Sequence, residues 1–245
     1  MAVTVAMLLV LFVLGAAAGA AIDHLAYTIP AHESWRQAPA CAACGQPRPV
    51  RALVPLLGPL WARRCAGCGA GLPWLRPATE LVTGTLFALA YLRYGLHPGT
   101  AVTIVFIAVL LVVLRIDWRH HLIFPQVIYA GLLLAFAGAV FLPARPHDLL
   151  WSVVAAVAAA ALFLFLYALA LVLYRRRALG SGDVLLAAMI GAMAGPGTVA
   201  ALTLGMLLGA VGGLTLVALR VRTMRDFIPY GAYLCAGTII ALLVF

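Results

Sequence analysis

The sequence predicts an all-α polytopic membrane protein, on three observations. Of its 245 residues, 66% are hydrophobic and 9% charged, against about 45–50% and about 25% in a soluble domain. The apolar residues fall into runs near the ~20 residues that a helix needs to cross a bilayer. The cationic residues cluster between those runs. About eight transmembrane helices are expected, with a cytoplasmic four-cysteine zinc-knuckle insert between the first two. This composition excludes a soluble enzyme, a disordered chain and a nucleic-acid binder. The formal charge of +9 is carried by arginine alone and is spread thinly between apolar segments.

The first run is Met1 to Ile22. Ala16-Ala17-Ala18 within it resembles a signal-peptide cleavage site, but no basic n-region precedes it, so a retained helix is expected. The second run spans about Ala78 to Tyr94, the third Thr100 to Ile116, the fourth Leu122 to Leu142 and the fifth Leu149 to Tyr174. Val184 to Leu219 carries no charge across 36 residues, or about 54 Å of helix, too long for one crossing. Gly195-Pro196-Gly197 interrupts it with a turn signal, so two helices are expected, the first one short. The last run is about Ile228 to Phe245.

Arginine placement sets the orientation, because arginines concentrate in cytoplasmic loops. Arg36, Arg48, Arg51, Arg63, Arg64 and Arg76 lie between the first two runs. Arg115 and Arg119 flank the junction of the third and fourth. Arg175, Arg176 and Arg177 follow the fifth, and Arg220, Arg222 and Arg225 follow the seventh. Only Arg93 and Arg145 fall on the other side, a split of 14 to 2. Both termini are therefore expected outside. The expected division is a first helix over 1–22, a cytoplasmic insert over 23–77 and a seven-helix membrane domain over 78–245.

The insert holds Cys41-Ala-Ala-Cys44 and Cys65-Ala-Gly-Cys68. Two C-x2-C pairs at this spacing read as a four-thiolate zinc site. Gly45, Gly67 and Gly69 permit tight turns, and Arg63 and Arg64 offset the excess negative charge of the cluster. Four protein ligands leave no position for a catalytic water, so the zinc is structural. The alternative, two disulfides, requires an exported loop. Cys235, in the last run, reads as a small buried apolar side chain.

Only seven residues are acidic. Ionisable groups within membrane spans are functional candidates by default. Asp117 ends the third run and Asp183 opens the sixth, after Gly180-Ser-Gly182. The orientation puts both at the cytoplasmic edge. Two adjacent carboxylates can hydrolyse a peptide without a metal: one ionised, to deprotonate water, and one protonated, to polarise the carbonyl. Gly180 and Gly182 leave room for a substrate backbone beside Asp183. The alternatives are that Asp183 caps a helix and that Asp117 pairs with Arg115 or Arg119. Glu80, at the start of the second run, reads as a helix-start carboxylate or as support for the substrate site. His120 and His121 stand beside Asp117 and read as interfacial side chains outside the catalytic set.

A first helix, a loop with paired C-x2-C, Asp117 followed by His120-His121-Leu-Ile-Phe-Pro125, and Gly180-Ser-Gly-Asp183 together resemble the bacterial type IV prepilin peptidases of the GxGD aspartyl protease class. Pro77-Ala-Thr-Glu80-Leu-Val-Thr-Gly84 and Ile228 to Gly237 extend the resemblance over nearly the whole chain. The resemblance implies that Asp117 and Asp183 are the catalytic aspartates and that the four cysteines bind the metal. It implies that prepilin or pseudopilin precursors are cleaved after a basic leader at the cytoplasmic face of the bacterial inner membrane. It further implies that the new N-terminus is methylated with S-adenosylmethionine. Leu185, Asp23 and Phe124 depart from the family's usual residues. The rival class is a proton- or ion-coupled transporter with intramembrane carboxylates. The lipid bilayer is the other expected partner, and no nucleic acid is expected.

Overall fold

The computed structural model describes residues 2–31, 39–41, 43–49, 52, 54–61, 64–71, 75–141, 149–174, 180–220 and 229–245. The expectations for Arg36, Arg51, Arg63, Arg145, Arg175, Arg176, Arg177, Arg222, Arg225 and Ile228 fall outside those residues. The described chain is almost entirely helical: α1 Ala2–Thr28, α2 Gly58–Trp61, α3 Leu75–Tyr94, α4 Pro98–His120, α5 Pro125–Phe141, α6 Leu149–Tyr174, α7 Ser181–Ala194, α8 Thr198–Ala218 and α9 Tyr230–Val244. Every expected apolar run thus has a helix. Among the described residues, four stretches are long and apolar enough to cross a membrane: Val3–Thr28, Pro98–His120, Leu149–Leu173 and Ser181–Ala218.

Several boundaries differ from the sequence reading: α3 and α7 start earlier, at Leu75 rather than Ala78 and at Ser181 rather than Val184, and α5 opens at Pro125 rather than Leu122. Helix α1 runs past Ile22 to Thr28, so Asp23 lies inside a helix. The apolar residues Leu25, Ala26 and Tyr27 continue the run beyond that single acid. Helix α4 runs past Ile116 to His120 and stops where His121 turns left-handed (φ 53°, ψ 37°). Pro125 then opens α5, as proline suits a first helical position. At the Gly-Pro-Gly signal, a single 3₁₀ turn separates α7 from α8, with Gly195 at φ 54°.

The chain divides into two units, Met1–Leu96 and His97–Phe245. In the first, α1 packs along α3. Small residues set their spacing: a Cβ at Gly15 would stand 2.7 Å from Gly84 Cα, and one at Gly19 would stand 2.7 Å from Glu80 Cα. Such close backbone approach is how apolar helices associate where lipid supplies no hydrophobic drive. In the second unit, α7 packs on α6 and α5, while α9 packs on α8 and α4. Helix α4 is far more buried than α6, at 56% of its apolar window against 17%. Phe106, Ile107, Leu110 and Ile116 line its buried face, and Asp117 continues it.

Candidate active site and metal centre

Asp117 sits at the C-terminal end of that buried face and is 5% exposed. A carboxylate so placed needs a donor, and α9 supplies it: the Ala232 N–H donates to Asp117 Oδ2 at 2.7 Å. Ala232 lies in the first turn of α9, where backbone N–H groups have no partner within their own helix. Gly231, one residue earlier, permits the approach. A Cβ there would stand 3.1 Å from Asp117 Oδ2 and 3.2 Å from both Ile123 Cδ1 and Leu186 Cδ2.

Asp183 lies in the first turn of α7, half-buried, and its Oδ2 accepts the Gly180 N–H at 2.9 Å. The capping contact named as the alternative role of Asp183 is therefore present, and it leaves Asp183 within electrostatic reach of Asp117. The two aspartates lie close enough to interact electrostatically, and Asp183 also acts on Tyr230 at the start of α9. The same neighbours join them. Ile123 contacts the Gly231 position beside Asp117, and its Cβ would stand 2.9 Å from a Cβ at Gly182. Gly182 thus makes room for Ile123, while Gly180 remains exposed. Each carboxylate is held by backbone amides at a helix N-terminus, Asp117 by those of Ala232 and Gly231 and Asp183 by that of Gly180.

The four cysteines form the second constellation. All are free thiols, and their sulfurs lie within 4.8 Å of one another. Cys41 Sγ is 3.7 Å from Cys68 Sγ, and Cys44 Sγ is 3.6 Å from Cys65 Sγ. A tetrahedral zinc with Zn–S bonds of ~2.3 Å has S···S edges of ~3.8 Å, so the cluster fits the ion. Two matching turns build it. In the first, Cys41 N–H donates to Gln46 O and Gly45 N–H to Cys41 O; in the second, Cys65 N–H donates to Ala70 O and Gly69 N–H to Cys65 O. Gly45 and Gly69 each adopt φ 71°, a left-handed value natural to glycine. Gly67 is not left-handed and instead abuts the Gln46 side chain.

Backbone N–H groups of Ala43 and Cys44 lower the Cys41 thiol to about 6, and those of Cys68 and Gly67 lower Cys65. At Cys41 and Cys65 the turns favour the thiolate that a metal needs, whereas the neighbouring Cys68 and Cys65 sulfurs push Cys44 up to about 12. Arg48 and Arg64 line a cavity of about 120 Å³ that also touches Cys41 and Cys65, and Arg48 interacts electrostatically with both thiols. Sequence reasoning chose Arg63 and Arg64 for this charge and missed Arg48, which is brought near only by the fold of the turn.

Glu80 belongs to the first unit and is fully buried. Its Oε2 accepts the Leu56 N–H at 2.7 Å, and its Oε1 accepts Arg76 Nε at 3.1 Å. Leu56 is left-handed at φ 62°. Glu80 therefore ties the Val54–Leu57 turn to α3. Beside it, Thr79 Oγ1 donates to Asp23 Oδ1 at 3.3 Å. Cys235 is buried in α9, as expected.

The sequence profile of the type IV leader peptidase family matches residues 104–217, which include both aspartates. The profile of the bacterial peptidase A24 N-terminal domain matches residues 13–94, which include all four cysteines. A prepilin leader peptidase/N-methyltransferase of Bacillus subtilis (strain 168) is 31% identical over 97% of this chain and 94% of its own length. The chain belongs to the type IV leader peptidase family. A second member, the prepilin leader peptidase/N-methyltransferase of Dickeya chrysanthemi, is 29% identical over 94% of this chain and 90% of its own length. A third, from Aeromonas salmonicida (strain A449), is 30% identical over 83% of this chain and 70% of its own. No solved structure matches the chain significantly. Nothing in this leader peptidase family supports the transporter reading.

Proposed function

We propose that this chain is a membrane aspartyl endopeptidase that removes the basic leader of type IV prepilin-like proteins at the cytoplasmic membrane face, with Asp117 and Asp183 as its catalytic pair. The observation that carries this reading is two carboxylates on different helices, within electrostatic reach, in a chain of the leader peptidase family. Each uses Oδ2 for a backbone amide, which leaves each Oδ1 available to a water shared by the pair. The ionised member takes a proton from that water as it attacks the scissile carbonyl. The protonated member donates to the carbonyl oxygen, and a proton then passes to the departing amine. The dyad shares its protons, so the roles belong to the pair.

The relatives' names extend the activity to N-methylation of the new N-terminus, for which S-adenosylmethionine would supply the methyl group. Cys41, Cys44, Cys65 and Cys68 hold a structural zinc that folds the insert over 23–77. The remaining chain, 78–245, forms the membrane catalytic domain. Eight spans, with both termini outside, follow from the arginine asymmetry and put the insert and both aspartates on the cytoplasmic side. Asp117→Asn and Asp183→Asn, assayed with a prepilin in proteoliposomes, test the reading. Each should lower cleavage by about 10²–10⁴-fold, and full activity in either would overturn the assignment.

A further inference from the structure

Beside the dyad stands a polar group to which the proposed reaction gives no task. His121 follows the last turn of α4, and its N–H donates to Asp117 O at 2.9 Å. His121 is thus tied through its backbone to the residue that carries the acid, and the two side chains interact electrostatically. His121 adopts φ 53°, a left-handed C-cap value that histidine tolerates better than most side chains. Its Nδ1 is buried and has no hydrogen-bond partner among the described residues. A buried polar atom without a partner is costly, and such features concentrate at functional sites. The next residues, Leu122 to Phe124, are non-helical and carry Ile123 onto Gly182 and Gly231. His121 therefore opens an irregular segment that runs past both aspartates.

We propose that His121 is a substrate-binding residue whose Nδ1 hydrogen-bonds the backbone of the peptide to be cleaved, fixing the scissile carbonyl beside Asp117 and Asp183. The inference rests on the dyad reading. Imidazole serves either polarity, donating to a peptide carbonyl or accepting from a peptide N–H. The left-handed turn ends α4 at His121 and redirects the chain toward Ile123.

The test is steady-state cleavage of a full-length prepilin by the full-length enzyme in proteoliposomes. His121→Gly removes the ring and is unstrained at φ 53°, so it folds where bulkier changes risk failure. It should raise KM about tenfold with kcat within about threefold, the pattern of a lost binding contact. His121→Asn keeps a short polar side chain that tolerates the left-handed region and should restore KM to within about threefold. An unchanged KM in His121→Gly would mean that Nδ1 meets only water or protein, and the proposal falls. It falls equally if His121→Asn is as impaired as His121→Gly, with both folded by thermal unfolding. Failure of the dyad reading is seen separately, as cleavage by Asp117→Asn or Asp183→Asn.

Discussion

Replacing Glu80 by alanine should release the cysteine-bearing insert without touching a sulfur. The Glu80 side chain is fully buried, and that of Arg76 is 13% exposed. Removing one member of a buried pair costs about 3–5 kcal/mol, mostly by stranding the other charge. Arg76 keeps some access to solvent, which favours about 3 kcal/mol. The Leu56 N–H also loses its acceptor, at about 1 kcal/mol or more. That amide belongs to a left-handed leucine, a conformation that costs roughly 1–2 kcal/mol and persists only while something fixes it. Together about 4 kcal/mol of local stability should go. At 1.4 kcal/mol per tenfold, the insert should open several-hundred-fold more often. The assay is zinc loss from purified protein to a chromogenic chelator. Glu80→Ala should release zinc at least about a hundred times faster than wild type, and Glu80→Gln, which keeps an acceptor oxygen, by about tenfold or less. A wild-type release rate in Glu80→Ala would refute the idea that this carboxylate anchors the insert.

Three further outcomes follow from the same geometry. Gly231→Ala places a Cβ 3.1 Å from Asp117 Oδ2; it should cut cleavage by about tenfold or more while lowering stability by no more than about 1–3 kcal/mol, as read from paired kinetic and thermal unfolding measurements. Purified protein should contain about one zinc per chain by elemental analysis, and Cys41→Ser with Cys68→Ser should abolish it. In Gly182→Ala the new methyl meets Ile123 Cβ at 2.9 Å, so cleavage should fall, and Ile123→Ala in the same chain should partly restore it. Independent losses that simply add would argue against this contact.

Much of the site is legible in the sequence because charge is so scarce. With seven acids in 245 residues, Asp117 and Asp183 stand out singly, and the paired cysteines announce their cluster by spacing alone. What escapes is everything supplied by the backbone. The Ala232 N–H that holds Asp117 and the Leu56 N–H that holds Glu80 belong to side chains with no polar atom. Gly231 lies in a segment whose family resemblance is visible, yet its task appears only when α9 meets α4. Helix ends escape for a related reason. Hydropathy marks where the chain is greasy, whereas α1 and α4 continue through Asp23 and Asp117 because a helix tolerates one acid when a partner awaits it. His121 reads as an interfacial side chain because burial of a single ring nitrogen has no one-dimensional signature.

The bond from Ala232 to Asp117 has a consequence for how the protein can be divided. Asp117 acts as the cap of a helix that starts far downstream, since donor and acceptor are 115 positions apart. The matched peptidase segment ends at residue 217, before α9 begins. A graft or fragment built on that segment alone would carry both aspartates and lack the amide that aims one of them. In a chimera between family members, α9 should therefore travel with α4, however unremarkable its own side chains look.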